Sequence, residues 1–155
     1  MRKLLVAAAL AALSLPAQAA DKYVNFEAVG RVILSGEYQS VLGDCEGCHG
    51  KNLAGGVTLM TPFGKLVTPN ITSDKDTGIG NYSAEDFRQA MKAGIAPGGK
   101  LLYHAMPYPA YARMRDGDIA ALWAYLRTVK PVRNSVNVNQ LSFPFNLRFM
   151  MRGWN

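Results

Sequence analysis

Residues 44 to 50, DCEGCHG, hold both cysteines of the 155-residue chain, Cys45 and Cys48, with one of its two histidines, His49, directly behind them. Two thiols and an imidazole packed this tightly form a dense donor set, and the flanking sequence narrows what it is for. The chain opens MRKLLVAAALAALSLPAQA: two cations, Arg2 and Lys3, an apolar run from Leu4 to Leu15, then Ala17-Gln18-Ala19. That pattern predicts a secretory signal peptide over 1–19 with a small-residue cleavage site. The run is too short to span a bilayer, and no later stretch approaches the roughly 18 to 20 apolar residues a span needs. A mature chain of residues 20–155, one domain in length, is therefore expected to be exported and soluble, without a transmembrane anchor. Arg2 and Lys3 fall in the leader, so 15 cations remain against 11 anions, a net charge of +4. The positive residues are scattered, with no block or aromatic-interleaved stripe, which argues against nucleic acid as a partner.

Four uses of Cys45-x-x-Cys48-His49 compete. A structural disulfide suits an exported protein, but it would close a very small loop and remove little chain entropy. A thiol-exchange site wants its cysteine pair opening a helix after a strand, whereas here the pair is expected to end a helix and enter a loop. Zinc needs four ligands, and with no other cysteine only His104 could complete a Cys/Cys/His/His set, at adverse spacing. Covalent attachment of one haem accounts for all three residues: each thiol can bond one vinyl group, and the histidine after the second cysteine is placed to ligate the iron. The haem reading is favoured.

Three helices are expected around the motif. Val29, Val32, Ile33, Tyr38 and Leu42 fall near helical spacing between Val29 and Gly43, although Gly30 and Gly36 weaken the propensity. In YSAEDFRQAMKAG, Ser83 is a candidate N-cap with Asp86 three residues on, and Gly94 a candidate C-cap. In DGDIAALWAYLRTVKPV, Asp116 or Asp118 would cap, Ile119, Leu122, Trp123 and Leu126 form an apolar face, and Pro131 stops the helix. Between them run long Gly/Pro-rich loops, Gly50 to Tyr82 and the segment IAPGGKLLYHAMPYPAY, where Pro107 and Pro109 should break any helix. The loop from Pro62 to Ile71 is expected to line the haem, with a backbone carbonyl orienting His49 through its ring N–H. Tyr108, Tyr111 and Trp123 are candidates to pack near the macrocycle. The tail, RNSVNVNQLSFPFNLRFMMRGWN, has apolar residues without a period, suited to packing on the surface or docking another protein.

For the second axial position the candidates are His104, Met60, Met91, Met106, Met114, Met150 and Met151. Met106 stands in the proline-stiffened YHAMPYPAY, where no regular element explains an apolar side chain. Met60 and His104 remain its rivals on these grounds. His/Met ligation would fill both axial sites and favour electron transfer over oxygen or peroxide chemistry.

The segments GDCEGCHG, TPFGKLVTPNITSDKDTGIGNYSAEDFRQAMKAG, LLYHAMPYPAYARMRDGDIAALWAYLRTVKPV and FPFNLRFMMRGWN together resemble a haem domain of the cytochrome c subunits of bacterial membrane-associated alcohol, gluconate and aldehyde dehydrogenases. The resemblance covers nearly all of the mature chain. It implies an all-α, class I cytochrome c fold, three to four helices with long loops around one covalently attached haem c, with first and last helices crossing beside it. It also implies the distal methionine at the AMPY position, Met106. Those subunits commonly string three such domains and a membrane anchor, whereas this chain carries one motif, with an extension from about residue 132. The resulting expectation is a periplasmic one-haem electron carrier or dehydrogenase subunit, not itself an enzyme and at most peripheral to the inner membrane. It would take electrons from a partner dehydrogenase and pass them to a downstream cytochrome or oxidase. The alternative is a haem enzyme or ligand-binding haem protein with an open distal site, peroxidase-like.

Overall fold

The computed structural model describes residues 26–153; the expected leader, 1–19, lies outside the described residues. Five helices occur in chain order: α1 (Phe26–Leu42), α2 (Cys45–His49), α3 (Ala84–Ala93), α4 (Tyr108–Tyr111) and α5 (Asp116–Thr128). α1, α3 and α5 are the three expected from sequence. None among the described residues is long and apolar enough to cross a membrane.

Helices carry the frame, yet the chain is not plainly all-α, which corrects the expectation. β1 (Thr58–Thr61) and β2 (Gly64–Val67) form an antiparallel hairpin, and β5 (Asn139–Leu141), from the tail, pairs antiparallel with β2, Lys65 opposite Gln140. β3 (Ile95–Ala96) and β4 (Lys100–Leu101) make a second small ribbon. Strands of two to four residues leave no room for a readable alternation, and β5 joins its sheet from more than seventy residues away. The tail is thus partly sheet and packs back on the domain.

α1 and α5 pack directly against each other. Gly36 makes this possible: a Cβ there would run into the Ala121 carbonyl and stand 2.7 Å from Tyr125 Cβ. The glycine that weakens α1 as an isolated helix is where α5 comes too close for a side chain. Gly36 and Ser40 are buried, while Leu34, Tyr38, Val41 and Leu42 face solvent. The buried strip of α1 is therefore small and partly polar, and the apolar residues that suggest the helix are mostly not its core contacts.

α3 follows its sequence signals closely. The Ser83 hydroxyl accepts from the Asp86 N–H, the Asp86 carboxylate accepts from the Ser83 N–H, and Gly94 closes the helix in the left-handed conformation. α5 differs at its start: Arg115 occupies the N-cap without a side-chain cap, and Asp116 and Asp118 lie inside the first turn. There they complement the helix dipole, and Asp116 also pairs with Lys92 of α3. The prolines expected to exclude helix near residue 108 instead start one: Pro107 precedes α4 and Pro109 lies in its first turn, where a missing N–H costs nothing. The core gathers Leu53, Ile79, Phe87, Met91, Ile119, Leu122 and Leu126.

The α1–α5 contact yields a paired test. Gly36→Ala should destabilise by about 1 to 3 kcal/mol through overpacking, measured by urea unfolding. Gly30→Ala, whose Cβ would meet nothing within 4 Å, should stabilise by roughly 0.5 to 1 kcal/mol.

Candidate functional site

The motif residues sit on a helix of their own. α1 ends at Leu42, Asp44 takes the left-handed conformation (φ 50°), and Cys45 begins α2, which runs only to His49. The pair therefore opens a short helix, contrary to the sequence expectation, but it follows a helix and not a strand. Cys45 and Cys48 are not bonded to each other. Burial pushes the Cys45 thiol up, partly opposed by a hydrogen bond with buried Ser40. A thiol held protonated is a poor exchange nucleophile.

His49 is buried, and its Nδ1–H donates to the Pro69 carbonyl at 2.8 Å. That bond fixes the tautomer and leaves Nε2 with its lone pair, as a metal-ligating histidine requires. Burial lowers the His49 pKa, with the Pro69 bond opposing, so the ring favours its neutral form. The expected carbonyl from the 62–71 loop is thus Pro69. Gly55 places it. The 53–57 segment runs beside 68–71, with Gly55 N–H donating to His49 O (2.8 Å), Gly56 N–H to Thr68 O (2.9 Å) and Ile71 N–H to Leu53 O (2.9 Å). Gly55 has φ 74°, and a Cβ there would collide with Thr68 and Pro69 backbone; only glycine meets both conditions without strain.

Asn70, absent from the residues expected to form the site, locks the same loop. It is buried; its Nδ2 donates to the Val132 carbonyl (2.7 Å) and Thr77 hydroxyl (3.0 Å), and its Oδ1 accepts from the Thr72 N–H (2.9 Å) and hydroxyl (2.8 Å). The local signal for it is the Asn-x-Thr spacing, an Asx-turn pattern, but its bond to Val132 spans 62 residues.

Cys45, Cys48 and His49 line one cavity of about 380 Å³, and Met106 lines it too. Ile71, Ile79, Tyr82, Phe87, Leu122 and Leu126 contribute apolar surface, and Val136 and Val138 close it from the tail. Of the other axial candidates, Met91 also lines the cavity as a buried core residue. Met60 is exposed on β1, Met150 is exposed, and Met114 and Met151 lie off the wall. His104 is off the wall too; its Nε2 and the Tyr108 hydroxyl are 2.9 Å apart. Among the described residues no three His, Cys, Asp or Glu side chains gather as a metal site, so the two-cysteine, two-histidine zinc set does not form. Of the three expected aromatics, Tyr111 lines the cavity and donates to the Gly43 carbonyl at 2.7 Å. Tyr108 is buried beside Gly94, and Trp123 stacks on Phe87.

Two free thiols, a neutral imidazole with its far nitrogen oriented, and an apolar slot among the helices fit a covalently tethered haem. Comparison with known proteins agrees: the model of the cytochrome c family matches residues 38–130. The chain belongs to the cytochrome c family. Its relatives include a nicotinate dehydrogenase subunit from Pseudomonas putida, 46% identical over 77% of this chain and 10% of that protein. The gluconate 2-dehydrogenase cytochrome c subunit of Pantoea cypripedii is 40% identical over 99% of this chain and 35% of its own length. The fructose dehydrogenase cytochrome subunit of Gluconobacter japonicus is 43% identical over 79% and 26%. The chain thus spans about a third or less of these relatives. By their names, the last two of these relatives are the cytochrome subunits of dehydrogenases.

Asn70→Ala should cost about 2 to 4 kcal/mol, since it strands buried partners on the loop and at Val132. Thermal unfolding measures the loss, and a change below about 1 kcal/mol would show that the loop does not depend on Asn70.

Proposed function

We propose that this chain is a periplasmic, monohaem c-type electron carrier or dehydrogenase subunit of the class I fold. Residues 1–19 act as signal peptide, and 20–155 as one cytochrome c domain whose extension begins near residue 132. In this reading Cys45 and Cys48 would hold the porphyrin through thioether bonds, and His49 Nε2 and the Met106 thioether would both ligate its iron. Haem held there supplies an iron that cycles between ferric and ferrous states, one electron at a time.

The observation that carries the reading is the His49 Nδ1–H bond to Pro69 at the wall of a cavity shared with both thiols and Met106. The chain's own residues then have defined tasks. Pro69 holds the imidazole in one tautomer and orientation. The helices and Val136 and Val138 give the site an apolar lining, which would limit the solvent reorganisation that accompanies the redox change. Met106 is preferred to Met91 because it comes from the loop ahead of α4, whereas Met91 is committed to the core. Electrons would come from a partner dehydrogenase, as the relatives' names suggest, and leave to a downstream cytochrome or oxidase.

Met106→Ala should abolish the thioether-to-iron charge-transfer band of the oxidised protein, while Met91→Ala keeps it despite losing about 2 to 5 kcal/mol of stability. A band that survives Met106→Ala, or is lost only in Met91→Ala, overturns the distal assignment. The reduced wild-type protein should resist carbon monoxide at neutral pH; rapid binding would indicate the open-site haem enzyme instead.

A further inference from the structure

The cavity wall carries two basic side chains, Lys100 from β4 and Arg148 from the 3₁₀ segment Arg148–Gly153 that packs beside it. Arg148 is half-buried and firmly held. Its Nη1 donates to the Leu101 carbonyl at 2.7 Å, and its guanidinium lies 4.5 Å over the Tyr103 ring. The Tyr103 hydroxyl in turn donates to the Phe145 carbonyl at 3.3 Å, tying the ring to the same tail. A guanidinium has five N–H donors, and one is used here among the described residues. Lys100 is exposed while lining the cavity, so it stands at the rim.

Neither cation has a carboxylate partner among the described residues; the ion pairs that form involve other side chains. Burial lowers the pKa of both, and the Arg148 charge lowers that of Lys100 further. A half-buried cation facing an apolar slot, with a second cation beside it, is stabilised by an anion brought in by whatever fills the slot. A haem macrocycle carries two propionate carboxylates, and thioether tethering leaves both unmodified.

On the footing of the haem reading, we propose that Lys100 and Arg148 form the carboxylate site of this cavity and hold the haem propionates. Arg148 offers a planar fork suited to a carboxylate, and Lys100 a point charge at the rim. The two cations keep the carboxylates ionised through the neutral range and offset their negative charge near the iron. The consequence is a reduction potential that is higher than with bare propionates and flat with pH. Arg148 lies beyond residues 38–130 matched by the family model, so the tail takes part in setting the potential.

The test is a spectroelectrochemical titration of the purified holoprotein from pH 5 to 9, for wild type, Lys100→Gln, Arg148→Gln and Arg148→Lys. Lys75→Gln, an exposed cation off the cavity wall, serves as control. The neutralising variants should match wild type at low pH, where a propionate protonates, and fall to lower potential as pH rises. Arg148→Lys should lie between, and Lys75→Gln should follow wild type. Neutralising variants that keep haem and axial spectrum, yet trace the wild-type curve throughout, overturn the carboxylate site and leave the haem reading standing. If Arg148→Gln fails to fold, Lys100→Gln, at the exposed rim position, decides on the same criterion. A chain without covalent haem would overturn both readings.

Discussion

The hydrogen bond from His49 Nδ1 to the Pro69 carbonyl joins the motif helix to the loop that walls the site, and much of the remaining architecture serves to place those two atoms. Gly55 lets the 53–57 segment pass close enough to seat Pro69. Asn70, the next residue, fastens the loop to Thr72, Thr77 and Val132. Ser73 adds a bond to the Val129 carbonyl at 2.7 Å, and Arg127 one to the Gly80 carbonyl at 2.7 Å. The part of the loop from Asn70 to Gly80 is thereby held to the end of α5 and the residues just after it by side-chain hydrogen bonds. Polar bonds of this kind are individually worth about 1 kcal/mol net, but unmade and buried they cost more. Order in the loop is thus cooperative: it holds as a set.

The apolar core and the cavity wall are largely the same residues. Ile79, Phe87, Met91, Leu122 and Leu126 belong to both. The side chains that would close a self-sufficient core are instead arranged around a space of about 380 Å³. At ~24 cal/mol per Å³, the figure for enclosed apolar cavities, filling that volume is worth at most on the order of 9 kcal/mol. A typical domain's whole stability is about 5 to 15 kcal/mol. In a chain of this size the occupant of the cavity therefore counts as part of the core, and function and folding draw on the same contacts.

What the sequence revealed and what it hid divide along the range of the interactions. The Ser83–Asp86 capping box and the Gly94 cap belong to one short helix and can be read directly. So can the α5 face of Ile119, Leu122 and Leu126, because periodicity and burial coincide there. On α1 they do not: Leu34, Tyr38, Val41 and Leu42 point to solvent, and the packing face is built on Gly36 and Ser40, which no hydrophobic pattern marks. The larger sheet escapes because β2 is completed by β5 across the whole domain, and the β3–β4 ribbon because its strands are only two residues long. The donors Cys45, Cys48 and His49 are legible as a motif, and Met106 as an apolar residue in a stiff loop. Asn70, Lys100 and Arg148 are not, since their meaning lies in partners or neighbours tens of residues away.

On the proposed reading, site and core both depend on a single covalent haem at the motif. The most direct measurement is the intact mass of the protein purified from cells equipped for haem attachment, wild type beside a Cys45→Ala/Cys48→Ala double variant. A gain of one haem per chain in the wild type, resistant to denaturation and lost in the double variant, is the predicted result. A wild-type chain with no covalent haem, or with Cys45 and Cys48 joined as a disulfide, would contradict it.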